Sequence, residues 1–63
     1  MSSATKVKIT TRLGGGIVEQ QFAESVREAA KLARQTKRDW EKYTRNRVEV
    51  SYIGRNGKET YIR

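Results

Sequence analysis

Six basic residues recur along the middle of the chain at the spacing of one face of an α-helix. Successive members are four, three, four, four and three positions apart: Arg27, Lys31, Arg34, Arg38, Lys42 and Arg45. At about 100° per residue they fall within roughly 80° of arc along a helix about 30 Å long. Ordered positive charge of this kind attracts phosphates and carboxylates, so we predict that these residues bind either a nucleic-acid backbone or an acidic protein surface.

The basic residues repel one another, which a helix serving structure alone would avoid. Arg34 and Arg38 are like charges four positions apart, as are two further pairs in the series, and each pair costs about 0.2–0.5 kcal/mol. Only Glu41 borders the series with a negative charge. The alternative is an ordinary solvated face, but the cost favours a binding role. The six residues include no Asn or Gln, which favours backbone contact over the reading of bases.

Composition supports a polyanionic partner and argues against catalysis. The 63 residues include 14 Lys and Arg against seven Asp and Glu, for a net charge of +7, and they contain no His and no Cys. The usual general base, metal nitrogen ligand and thiol nucleophile are therefore missing, and the carboxylates are spread among basic neighbours. We predict a protein that is not an enzyme and that needs no cofactor and no metal.

The first half of the chain predicts a β-hairpin followed by a helix. Residues 6–13 alternate between apolar and polar positions, Gly14-Gly15-Gly16 suits a tight turn, and residues 17–22 form the returning strand. A two-residue loop places these apolar side chains on one core face: Val7, Ile9, Leu13, Val18 and Phe22.

Ser25 and Glu28 fit a capping box that starts a helix, and Asn46 is a candidate left-handed residue at its end. The predicted buried face of that helix comprises Val26, Ala29, Ala30, Ala33, Thr36, Trp40 and Tyr43.

The last third of the chain predicts a second hairpin. Residues 47–52 alternate, and Asn56-Gly57 is typical of a two-residue loop. With that loop Tyr52 lies opposite Tyr61 on the core face, whereas Ile53 and Ile62 lie on the other face.

These elements predict an α+β fold of order ββαββ, with a single helix packed on one face of a four-stranded antiparallel sheet. We expect residues 1–5 to be a disordered N-terminus and residues 6–63 to form a single domain, with the strand order left open. No apolar stretch is long enough to span a membrane and the N-terminus lacks the core of a signal peptide, so we expect a cytoplasmic protein with no membrane partner.

The sheet face away from the helix is a second candidate surface. Its basic members are Lys6, Lys8, Arg12 and Arg47. No aromatic residue is predicted there, which argues against base stacking. Ile17, Ile53 and Ile62 on the same face favour either a homodimer that buries it or plain exposure.

The chain resembles small phage-encoded anti-CRISPR inhibitors in its length and in the order of its elements. It also resembles them in its closing segment, Val48-Glu49-Val50-Ser51-Tyr52 followed by Asn56-Gly57-Lys58. The resemblance implies stoichiometric inhibition of a host nucleoprotein complex in the host cytoplasm. Because this chain is basic, its charge argues against mimicry of DNA. Two hypotheses follow: an inhibitor that docks on a host protein or nucleoprotein complex, or a module that contacts nucleic-acid phosphates without sequence specificity.

Overall fold

Two hairpins and one helix make up the computed structural model, which describes residues 6–54 and 56–63. The elements in chain order are β1 (Val7–Leu13), β2 (Gly16–Ala23), α1 (Val26–Tyr43), β3 (Val48–Ile53) and β4 (Glu59–Tyr61). The four strands form one antiparallel sheet in the order β2-β1-β3-β4. The predicted α+β class with one helix and a four-stranded antiparallel sheet is confirmed.

The first strand of each hairpin lies in the middle of the sheet, and α1 connects the edge strand β2 to the central strand β3. The prediction for residues 1–5 lies outside the described residues. In the part of the chain that the structure describes, no helix is both long and apolar enough to cross a membrane.

The core is a thin layer between α1 and the sheet. Ala29 and Ala33 are fully buried, and these small side chains let the helix backbone approach the strands closely. The strands contribute the larger buried apolar side chains: Val7, Ile9, Val48 and Val50. Leu13, Leu32, Trp40, Tyr52 and Ile62 pack around this cluster while staying partly exposed.

The start of α1 is as predicted, but its end is not. Ser25 Oγ accepts a hydrogen bond of 3.2 Å from the Glu28 amide, which satisfies one free donor of the first turn. The predicted left-handed stop at Asn46 is wrong, because α1 ends at Tyr43 and Thr44 caps it with an extended backbone. Tyr43 was expected in the core, yet it is 86% exposed.

A β-bulge changes the predicted faces of β2. The turn is as expected: Gly14 and Gly15 have positive φ and Leu13 pairs with Gly16. Arg12 then pairs with Ile17, whereas Thr11 pairs with Glu19, so Val18 is an extra residue in β2. A one-residue shift reverses every later side chain, and it moves Glu19 and Gln21 to the helix side.

The bulge places Phe22 on the sheet face opposite to the one predicted. Phe22 pairs with Lys8 on the sheet face away from α1, which we call the open face, and it is 59% exposed. Val18 is 45% exposed. The prediction that Phe22 and Val18 share the core face is therefore wrong.

The second hairpin is also one residue out of the predicted register. Its backbone closes between Gly54 and Lys58, with Gly54 N donating to Lys58 O at 3.1 Å, one residue wider than expected. Tyr61 consequently pairs with Ser51 on the open face. Ile62 donates to Val50 O at 2.8 Å and packs against the core. The expected core position of Tyr61 and open-face position of Ile62 are both wrong.

Candidate binding surfaces

Five of the six predicted basic residues lie on the outer side of α1. Arg27, Lys31, Arg34, Arg38 and Lys42 are all exposed, and we call them the basic row. At about 100° per residue the row lies opposite the buried residues Ala29, Ala33 and Thr36. Arg45 does not belong to this helical row, because α1 ends at Tyr43, although Arg45 is exposed beyond it.

The charge of the basic row is not neutralised within the described residues. Four ion pairs occur there: Lys6 with Glu24, Arg12 with Glu59, Lys37 with Glu41 and Arg47 with Glu49. None includes a member of the row. Glu41, the acid that borders the row, lies 3.3 Å from Lys37 Nζ. The row therefore presents its full positive charge to solvent.

Two further cations adjoin the row and were not predicted. A shallow depression of about 210 Å³ is lined by Arg34, Lys37, Arg38, Glu41, Ile62 and Arg63. Arg63 comes beside α1 because Ile62 packs against the core on the helix side. If we had assumed a second hairpin loop one residue wider, we would have predicted the position of Arg63, because that loop places Ile62 on the helix side of the sheet. The depression extends the positive surface towards β4.

The second predicted basic surface is largely paired with acids. Lys6 lies 3.5 Å from Glu24, and Arg47 lies 3.8 Å from Glu49. Lys8 and Arg12 lie on the open face with Glu49 and Glu59, so the face carries both signs of charge. These residues do not form a continuous basic patch like that on α1.

Glu59 is held by a small polar cluster on the open face. Ser51 Oγ donates a hydrogen bond of 2.6 Å to Glu59 Oε2, and Arg12 Nη1 lies 3.4 Å from the same oxygen. Arg12 Nη1 also lies 3.5 Å from the Tyr61 hydroxyl. The hydrogen bond from Ser51, helped by Arg12, lowers the pKa of Glu59 below its ordinary value of 4.5.

The open face carries two exposed aromatic side chains. Phe22 is 59% exposed on β2, and Tyr61 is 51% exposed on β4, at opposite edges of the sheet. The prediction that this face has no aromatic residue is wrong, and both register shifts are the cause.

A groove lies between the second half of α1 and the edge strand β2. Its volume is about 610 Å³, and its lining comprises Glu19, Gln21, Thr36, Asp39, Trp40 and Tyr43. Trp40 Nε1 donates to Glu19 Oε1 at 3.0 Å, and Gln21 Nε2 donates to Thr36 Oγ1 at 2.9 Å. Sequence reasoning missed the groove, because the bulge is what turns Glu19 and Gln21 towards the helix.

Within residues 6–54 and 56–63, no three acidic side chains are close enough together to hold a metal ion. No protein-family model, curated protein or solved structure matches this chain.

Proposed function

We propose that this protein is a non-catalytic binding protein that docks through the basic row on a host protein or nucleoprotein complex, as small phage-encoded anti-CRISPR inhibitors do. The observation that carries the proposal is that five exposed cations on one side of α1 form no ion pair with any described residue. Its site of action is the host cytoplasm.

The energetics favour a partner that is itself negative. Like charges at Arg34 and Arg38 disfavour the free helix by about 0.2–0.5 kcal/mol for each such pair. An acidic partner would offset this repulsion by attracting the same side chains. The long-range electrostatic attraction of the positively charged protein would also speed association. The net charge of +7 argues against mimicry of DNA.

A second candidate is direct binding to a nucleic-acid backbone, which the composition of the row favours, because the row consists of Lys and Arg with no Asn or Gln to read bases. Successive members are separated by about 4.5–6 Å along the helix axis, at 1.5 Å per residue. Phosphates of one DNA strand follow one another at about 3.4 Å along the duplex axis. Because the two spacings differ, five such contacts would involve phosphates that are not successive on one strand, and they would still need no base contacts.

Titration of a random 20-base-pair duplex at about 50 and 200 mM salt separates the two candidates. Five phosphate contacts would lower the affinity by about 500-fold between these salt concentrations, from a slope of about −0.9 per contact. A decrease of that size supports direct nucleic-acid binding. No binding at the lower concentration contradicts it and leaves docking on a host protein complex.

Docking on a host complex is tested by capture from a bacterial lysate with wild-type protein and with the double variant Arg34→Glu/Arg38→Glu. We expect a stoichiometric partner with the wild type and its loss with the variant. Equal capture by both proteins would contradict a role for the basic row.

A further inference from the structure

The groove between α1 and β2 holds two of the three acidic side chains that form no ion pair among the described residues. Four of the seven acids form the ion pairs given above, and Glu28 Oε1 accepts from the Glu24 amide at the start of α1. Glu19 and Asp39 remain. Within the described residues, neither has a Lys or Arg nitrogen within 4.0 Å, although basic residues outnumber acids two to one. Both line the groove.

The groove also has two aromatic rings. Trp40 and Tyr43 are three positions apart on α1 and so lie near each other on its surface. Tyr43 is 86% exposed, so the core does not account for its aromatic ring. The hydrogen bond from Trp40 Nε1 to Glu19 anchors the indole beside a carboxylate. The result is a partly prearranged pair of aromatic surfaces with negative charge at the rim.

We propose that this groove receives an arginine side chain of a partner protein. A planar guanidinium stacks on aromatic rings and donates paired hydrogen bonds to carboxylates, and Trp40, Tyr43, Glu19 and Asp39 offer both. Arginine fits better than lysine, because an ammonium group lacks the planar stacking surface. The volume of about 610 Å³ falls within the range of small-ligand sites.

This site adjoins the basic row at Asp39, which also lines a depression with Lys31, Arg34 and Arg38. The groove residues of α1 lie roughly 60–160° around the helix axis from Lys42, the nearest edge of the row. A partner with an acidic patch and a projecting arginine could engage both surfaces. A nucleic-acid phosphate would be repelled by Glu19 and Asp39, so occupation of the groove indicates a protein.

The chain has one tryptophan, so intrinsic fluorescence reports on this groove. The probe is the blocked peptide Gly-Arg-Gly, and its matched control is the same peptide with citrulline, which keeps the planar urea group but lacks the charge. We expect a saturable change in Trp40 fluorescence with a millimolar Kd for arginine and at least fivefold weaker binding for citrulline. No saturable change with arginine, or equal binding of both peptides, would overturn the proposal.

Two substitutions locate the binding. Asp39→Asn and Tyr43→Ala alter exposed side chains, so we expect the thermal unfolding midpoint to be unchanged and arginine binding to weaken at least threefold. Lys58→Gln, at an exposed position in the second hairpin, is the control and should bind no more weakly than the wild type. Unchanged binding in both groove variants would also overturn the proposal.

Discussion

The indole nitrogen of Trp40 donates a hydrogen bond of 3.0 Å to Glu19 Oε1 and so ties the last turns of α1 to the edge strand β2. Glu19 can accept it only because the bulge at Val18 turns Glu19 towards the helix. The same bulge sends Phe22 to the open face. One extra residue thus creates the groove and also exposes an aromatic side chain on the far side of the sheet.

Truncation of Phe22 tests the bulge. We expect Phe22→Ala to lower the free energy of unfolding by less than about 1 kcal/mol, because the ring is already 59% exposed. The matched variant Ile9→Ala removes a fully buried side chain and should cost about 2–5 kcal/mol. Urea denaturation of both variants measures the difference. A cost for Phe22→Ala as large as that for Ile9→Ala would place Phe22 in the core and contradict the register.

Thr11 offers a stabilising substitution. Its hydroxyl oxygen is buried without a hydrogen-bond partner among the described residues. Thr11→Val keeps the branched shape and removes the unsatisfied group, so we expect unfolding to require about 1 kcal/mol more. Ser51→Ala is the contrasting control, because Ser51 donates to Glu59 at 2.6 Å and its loss should destabilise the fold. If Thr11→Val unfolded at a lower urea concentration than the wild type, the Thr11 hydroxyl would have to form a stabilising hydrogen bond, which contradicts the prediction.

The pKa of Glu59 predicts the direction of one pH effect. Because the folded pKa lies below 4.5, ionised Glu59 stabilises the fold above that pH, and this contribution is lost as the pH falls through the folded pKa. We therefore expect the stability advantage of wild type over Glu59→Gln to be present at pH 7 and to disappear in acid. Urea denaturation across this range measures it, and a constant difference between the two proteins would refute the effect.

The basic row predicts that binding and stability oppose each other. Arg34→Glu removes a like-charge contact with Arg38 and replaces it with an attractive one, so we expect stability to rise by about 0.5–1 kcal/mol at low salt. Arg34→Gln should give about half that gain, and high salt should abolish both. Thermal unfolding at two salt concentrations measures these changes. A destabilised Arg34→Glu protein would show that Arg34 has a structural role.

Strong local signals predicted the helix start and the first turn. Ser25 and Glu28 mark the start of α1 because a hydroxyl oxygen there accepts a free amide of the first turn. Gly14-Gly15-Gly16 predicted a two-residue turn because glycine adopts positive φ without steric cost, and Gly14 and Gly15 do so in the structure. The basic row followed from helical periodicity alone, but the same periodicity wrongly included Arg45, which lies beyond the end of α1.

The faces on which the strand side chains lie could not be predicted in the same way, because they depend on the exact pairing register of the strands. Nothing in the local sequence marks Val18 as an extra residue, and Gly57 has positive φ in a loop that closes one residue wider than expected. A register error of one residue places every following side chain of the strand on the opposite face of the sheet. The groove depends on the bulge, so it was beyond sequence reasoning, whereas the position of Arg63 beside α1 follows once the second hairpin loop is given one more residue.

Retention on a heparin column tests the central claim most directly, because heparin is a polyanion that makes no assumption about the partner. The double variants Arg34→Glu/Arg38→Glu and Lys6→Glu/Arg47→Glu each lower the net charge by four from +7, to the same +3. If the basic row is the binding surface, the first variant elutes at clearly lower salt than the second. Elution of both variants at the same salt concentration would show that only net charge matters and would contradict the account.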